Sequence, residues 1–137
     1  ASTNAELNAV ADRVEFRHGS LLEPVTDHER FGQFDWLLSN PPYIADHEWS
    51  EVDRNVRDYE PVHALRAGPR GLDVLEPLIE ACHEAVRPGG AIAIEIGAHQ
   101  GDAVRALAES NPSLISIEIL KDHEGFDRVL IAHRRSD

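Results

Sequence analysis

Methionine is absent from this 137-residue chain, and cysteine occurs only once. The lone thiol, Cys82, lies in an apolar helical stretch, excludes an internal disulfide and has no partner at metal-ligand spacing, which fits a reducing cytoplasm. Removal of an initiator before Ala1 explains the missing methionine as well as a chain cut from a longer one does. Long apolar runs are missing too. No stretch approaches the roughly 18 consecutive apolar residues that span a bilayer, and no basic-then-apolar leader opens the chain, so a soluble, unexported protein with no membrane partner is expected.

Basic charge is scarce. Against 25 Asp and Glu stand 13 Lys and Arg, for a formal charge of −12. That balance disfavours tight binding to a phosphate backbone, which needs a Lys/Arg face, and favours a protein or small-molecule substrate. It also serves simply as solubilising surface. The 8 histidines show no pair at i, i+4 on a helix, and no metal is assigned. What is present, 42% hydrophobic and 28% charged residues, suits one soluble globular domain over residues 1–137.

Residues 1–11 read as the end of an amphipathic helix and residues 13–18, where Val14 and Phe16 alternate with charges, as a short strand closed by Gly19. Phe34 to Ser39 is an apolar run of strand length. Residues 45–69 carry many charges and little periodicity, predicting a long loop with room for a helical turn; long loops in compact domains are often functional. Leu72, Leu75, Leu78, Ile79, Cys82 and Val86 recur at helical spacing, predicting a helix over 71–86 that Pro88-Gly89-Gly90 terminates. A buried strand over 91–96, a helix over 100–110, and strands over 114–120 and 126–133 follow, the last two joined by the polar turn Asp122 to Gly125. Strands alternating with helices predict an α/β fold with a mainly parallel sheet, the last two strands pairing as an antiparallel hairpin.

The informative motif is Asn40-Pro41-Pro42-Tyr43, directly after the strand Phe34 to Ser39. A residue before proline is pushed into extended conformation, so the chain leaves the strand stiffly and projects Asn40 over the sheet edge, where open α/β sheets bind ligands. Two prolines bring no N–H groups, which leaves the Pro41 carbonyl as an outward acceptor beside the Asn40 side-chain carbonyl. Two adjacent acceptors suit a planar –NH2 group, whether of a carboxamide or of an exocyclic base amine. Its nitrogen is a poor nucleophile because the lone pair is delocalised. Accepting both N–H bonds orients it and favours pyramidalisation, aiming the lone pair at an electrophilic methyl; transfer disperses a sulfonium's charge, so positioning outweighs a strong base. Tyr43 offers an aromatic wall for the flat group. A stiff turn that merely ends a strand would use the same residues.

The stretch Phe34-Asp35 through Ser39-Asn40-Pro41-Pro42-Tyr43-Ile44 resembles the motif of the HemK/PrmC family, whose members methylate the glutamine amide in the Gly-Gly-Gln loop of peptide chain release factors. The likeness continues in Tyr59-Glu60-Pro61 with Ala64-Leu65, in Gly89-Gly90 before a strand, in Glu95-x-Gly97-x-x-Gln100-Gly101, and in Asp127-Arg128-Val129. It implies a Rossmann-like class I methyltransferase sheet lacking its first strands, the C-terminal portion of such a domain. It also implies S-adenosylmethionine as methyl donor and release factors as partners. By the same resemblance Asn40 and the Pro41 carbonyl are the catalytic pair that binds the substrate amide, while Pro42 and Tyr43 shape the pocket.

Two departures stand out. The glycine-rich loop after a first strand and the acidic residue after a second, which hold the cofactor in this family, are not found; Gly97 to Gly101 reads as a tight strand-to-helix turn. At Gly19-Ser20-Leu21 the family usually carries an aspartate and often an aromatic. Ser20 and Leu21, with Asn40, are therefore the expected cofactor-facing residues, though a hydroxyl and an apolar side chain are weaker ligands for adenine. Glu60 could approach the amide pocket but is read first as a backbone cap; Trp36 is read as packing and Trp49 as a loop residue able to contact a partner, neither carrying a function. Competing functions are an amino-methyltransferase of nucleic-acid bases, disfavoured by the charge and by the lack of a basic aromatic segment, and an inactive domain kept as an interaction module.

Overall fold

In the computed structural model, which describes residues 1–136, alternation decides the centre of the sheet. Ile92, Ile94 and Ile96 are all fully buried on one face, as period-two spacing requires when one side of a strand meets helices. They belong to or directly follow β2, Val86–Glu95. β1, Phe34–Ser39, pairs with it in parallel, Leu37 beside Ile92 and Ser39 beside Ile94. The remaining strands are β3, Leu114–Lys121, and β4, Asp127–Arg134. The sheet order is β1-β2-β4-β3. β4 enters between β2 and β3 antiparallel to both, so three strands share one direction and the last opposes them. The mainly parallel α/β sheet with a C-terminal hairpin is thus observed, the hairpin turn being held by two backbone N–H bonds onto the Asp122 side chain.

Before β1 lies α1, Ser2–Leu7. α2, Arg54–Tyr59, precedes α3, Leu75–Ala85, and α4 spans Gly101–Ser110. α3 buries Leu75, Leu78, Ile79, Cys82 and Ala85, the i, i+3, i+4, i+7 stripe expected of a helix laid on a sheet. Pro77 sits in its first turn, where the missing N–H breaks no intrahelical bond. α3 and α4 pack together on the isoleucine face, with Val104, Ala108, Leu114, Leu130 and Ala132 completing the core. Trp36 and Leu38 register with Ala91 and Ala93, on the other face, and are 58% and 73% exposed.

Three expectations need correction. The strand over 13–18 is not formed: a 3-10 turn occupies Ala11–Arg13, and Val14, though extended, finds no neighbouring strand. An extended segment becomes sheet only when a ladder satisfies its N–H and C=O groups. The first helix ends at Leu7 rather than at residue 11, and Ala9 already has φ +53°. Pro88-Gly89-Gly90 does not terminate the helix, which stops at Ala85; instead it forms a bulge inside β2, where pairing jumps from Phe34–Val86 to Trp36–Ala91. Gly89 has φ +72° there, and a Cβ on Gly90 would stand 2.8 Å from the Arg87 carbonyl. Among the described residues no helix is long and apolar enough to cross a membrane.

Candidate active site

β1 ends at Ser39, and the motif follows at the sheet's C-terminal edge with Asn40 exposed, Pro41 buried, and Pro42 and Tyr43 half-buried. The chain is then pinned. The Ile44 N–H donates to the Leu65 carbonyl and the Ala67 N–H to the Ile44 carbonyl, each at 2.9 Å, so residues 45–65 rise as a flap from a closed base. α2 lies on this flap, its first turn capped by Asp53, whose carboxylate accepts the Asn55 N–H at 2.7 Å. Arg66 braces the base, bonded to Asp46 at 2.7 Å and stacked 5.4 Å from the Trp49 ring centre. Trp49, read from sequence as a partner contact, is here half-buried against its own flap.

Between motif and flap lies a cleft of about 290 Å³ lined by Asn40, Pro41, Pro42, Tyr43, Val56 and Glu60, among others. All four motif residues therefore meet in one hollow, with α2 opposite. Neither the Asn40 side chain nor the Pro41 carbonyl takes part in a hydrogen bond among the described residues. Both acceptors remain available to a ligand. Glu60, read chiefly as a cap of backbone groups, faces this cleft; its place beside Pro61 was visible in the sequence, but neither α2 nor the way the flap folds was.

Tyr43 is held at both ends. Its hydroxyl donates to Glu95 Oε1 at 2.9 Å, and its carbonyl accepts from Gln100 Nε2 at 3.0 Å. Burial above all, then the hydrogen bond to Glu95 and its negative charge, push the phenol above its ordinary pKa, while Arg128 pulls the other way. Tyr43 is accordingly a neutral donor and not a base. Arg128 is itself fixed by Asp122, with its two nitrogens at 2.9 and 3.2 Å from one carboxylate oxygen. The guanidinium holds the Asp122 carboxyl below its usual range. Glu95, Gln100 and Arg128 belong to motifs visible in the sequence, but their distance from Asn40 along the chain hides their contact with Tyr43.

Of the residues expected to face a cofactor, Leu21 stands beside the motif and Ser20 does not. Leu21, with φ +49°, joins Leu37, Leu38, Ser39, Pro41 and Pro42 around an apolar hollow of about 280 Å³. Ser20 is exposed and its carbonyl accepts the Glu23 N–H at 3.0 Å in a local turn. Asn40 lines the other cleft. The two hollows meet at Pro41 and Pro42.

The chain matches curated relatives over most of its own length. It is 41% identical over 124 residues to a release factor glutamine methyltransferase of Clostridium acetobutylicum, covering 90% of this chain and 42% of the relative. It is 37% identical over 137 residues to the protein of the same name from Moorella thermoacetica, covering all of this chain and 47% of that one. The chain belongs to the HemK/PrmC family. It spans about half the length of the curated relatives it matches. No family model matches it. Its fold is shared with a proposed DNA modification methylase from Thermus thermophilus, at a TM-score of 0.53 and 14% identity over 87% of this chain and 52% of that one. As a HemK/PrmC sequence the chain shows the Asn-Pro-Pro-Tyr motif at a strand's C-terminal end, with Glu60, Glu95 and Gln100 from other motifs beside it, while Gly89-Gly90 lies at the opposite end of the sheet.

Proposed function

We propose that the protein carrying this chain transfers a methyl group from S-adenosylmethionine to the side-chain amide nitrogen of the glutamine in the Gly-Gly-Gln loop of peptide chain release factors, in the cytoplasm. The observation that carries the reading is the meeting of two hollows at Pro41 and Pro42, one offering paired acceptors and one mostly apolar. Relatives that carry this activity in their names share the sequence.

Asn40 Oδ1 and the Pro41 carbonyl accept the two N–H bonds of the substrate amide and fix its plane, and Tyr43 limits its movement from the side. Fixing the plane turns an encounter of two molecules into a single aligned step, which is where most of the acceleration arises. No side chain needs to remove the proton beforehand: once nitrogen has bonded to the methyl carbon and the carbon–sulfur bond has broken, the cationic amide loses its proton to water. The donor, when bound, supplies an electrophilic methyl on a sulfonium. Leu21, Leu37 and the two prolines fit a flat apolar face of it, and none of the residues around that hollow offers a charge to its methionine end.

The test is mass spectrometry of a release-factor peptide incubated with the full-length gene product and S-adenosylmethionine. One methyl on the glutamine side chain is expected, and none on adenine- or cytosine-containing oligonucleotides. Methylation of the oligonucleotide alone would refute the reading.

A further inference from the structure

Gln100 is the N-cap residue of α4, yet its side chain makes no cap hydrogen bond to that helix. It reaches three other loops instead. Oε1 accepts the Gly97 N–H at 2.8 Å, while Nε2 donates to the Tyr43 carbonyl and to the Gly71 carbonyl, both at 3.0 Å. Both donors and one acceptor position of one amide are thereby used, and they join the chain after β1, the approach to α3 and the turn after β2.

The surroundings are shaped to admit this amide. Gly71 has φ +70°, and a Cβ there would lie 2.7 Å from Gln100 Nε2 and 2.3 Å from the Tyr43 carbonyl. A Cβ on Gly97 would lie 2.9 Å from Gln100 Oε1. Both glycines are thus necessary for the seat. The Tyr43 carbonyl is the last group of the turn that begins at Asn40, and the Tyr43 hydroxyl is tied to Glu95. With both ends of Tyr43 fixed, the backbone that carries Asn40 and Pro41 is tethered on its C-terminal side as it is by β1 on its N-terminal side.

We propose that Gln100 is a positioning residue for the acceptor pocket: by joining Tyr43, Gly71 and Gly97 it holds Asn40 and Pro41 at the orientation that aligns a substrate amide. The functional half of this statement rests on the methyl-transfer reading above. Gln100 touches no substrate and acts through the backbone groups it joins, Tyr43 above all. Loosening of a positioning contact by about 1 Å costs on the order of 100-fold in turnover.

The experiment compares the full-length gene product with its Gln100→Ala and Gln100→Glu variants by amide hydrogen exchange and by peptide methylation kinetics. Glutamate has nearly the shape of glutamine and keeps the acceptor for Gly97, but it sets an oxygen against the two carbonyls, so shape alone does not rescue it. Both variants are expected to speed exchange at the Ile44, Asp46 and Gly71 amides about tenfold or more while Ile92, Ile94 and Leu130 keep wild-type protection. Turnover should fall roughly 10- to 100-fold with a smaller change in KM. Unchanged exchange at those three amides overturns the proposal whatever the activity does. Wild-type turnover in Gln100→Glu overturns it as well. Should the wild-type protein fail to methylate the peptide, the methyl-transfer reading falls, and the exchange data alone still decide whether Gln100 holds the pocket.

Discussion

The placing of Asn40, Pro41, Pro42 and Tyr43 together at the end of β1 was legible because consecutive prolines after an apolar strand leave few conformations open. Glu95, Gln100 and Arg128 were not legible in their roles, since nothing local says that a β2 terminus, a helix cap and a β4 side chain converge on a tyrosine some 50 to 85 residues earlier. Tyr43 itself gives a direct test. Its phenol is raised by burial and by Glu95, so in a Tyr59→Phe variant of these 137 residues, in which Tyr43 is then the one tyrosine, ultraviolet titration should show ionisation above the ordinary value of about 10. Glu95→Gln, which keeps an acceptor but removes the charge, should bring it down. The sign for stability follows: the neutral phenol is favoured by folding, so its contribution is complete below the unfolded pKa and is lost as pH rises through the folded one. Titration at or below 10 would contradict the Glu95 contact. Cys82 offers a second test. It is fully buried and burial pushes its thiol up to about 12, so a thiol reagent at neutral pH should label it only in denaturant. Rapid labelling of the native protein would show the core to be open at α3.

At the scale of elements, the strands and long helices followed from periodicity, because burial on one face imposes it. Residues 13–18 have the alternation of a strand but no partner strand among the described residues, and alternation alone does not supply one. The Pro-Gly-Gly segment misled for a related reason: a breaker of helices is also a tolerated bulge at the start of a strand. α2 was hidden because its six residues fall below the length at which helices are stable alone. It depends on Asp53 as a cap and on the pinned base at Ile44 and Leu65. Asp53→Ala should therefore cost about 1 kcal/mol of local stability, seen as faster exchange of the Arg57 and Glu60 amides and a raised KM for the peptide, with little change in global Tm. A large fall in Tm with an unaltered KM would show that the flap belongs to the core and not to the site.

For the whole molecule, β1 is an edge strand of a four-stranded sheet, and Trp36 and Leu38 stand exposed on its uncovered face. Unpaired strand edges beside exposed apolar side chains favour association. The hollow at Leu21 is mostly apolar and has no charged side chain in its lining, so these 137 residues by themselves should bind S-adenosylmethionine poorly; micromolar binding by calorimetry to a folded monomer of this chain would contradict that. The central claim is that the acceptors at the end of β1 orient a glutamine amide for methyl transfer. Asn40 is exposed and outside the core, so Asn40→Ala should cost about 1 kcal/mol or less in stability. Loss of one preorganised hydrogen bond at a reacting group typically lowers turnover by roughly 100- to 1000-fold. The decisive measurement is the rate of single methyl addition to a Gly-Gly-Gln peptide, followed by mass spectrometry, for Asn40→Ala against wild type in the full-length gene product. A fall of that size with unchanged cofactor affinity and melting is the predicted result, and a near-normal rate would contradict the account.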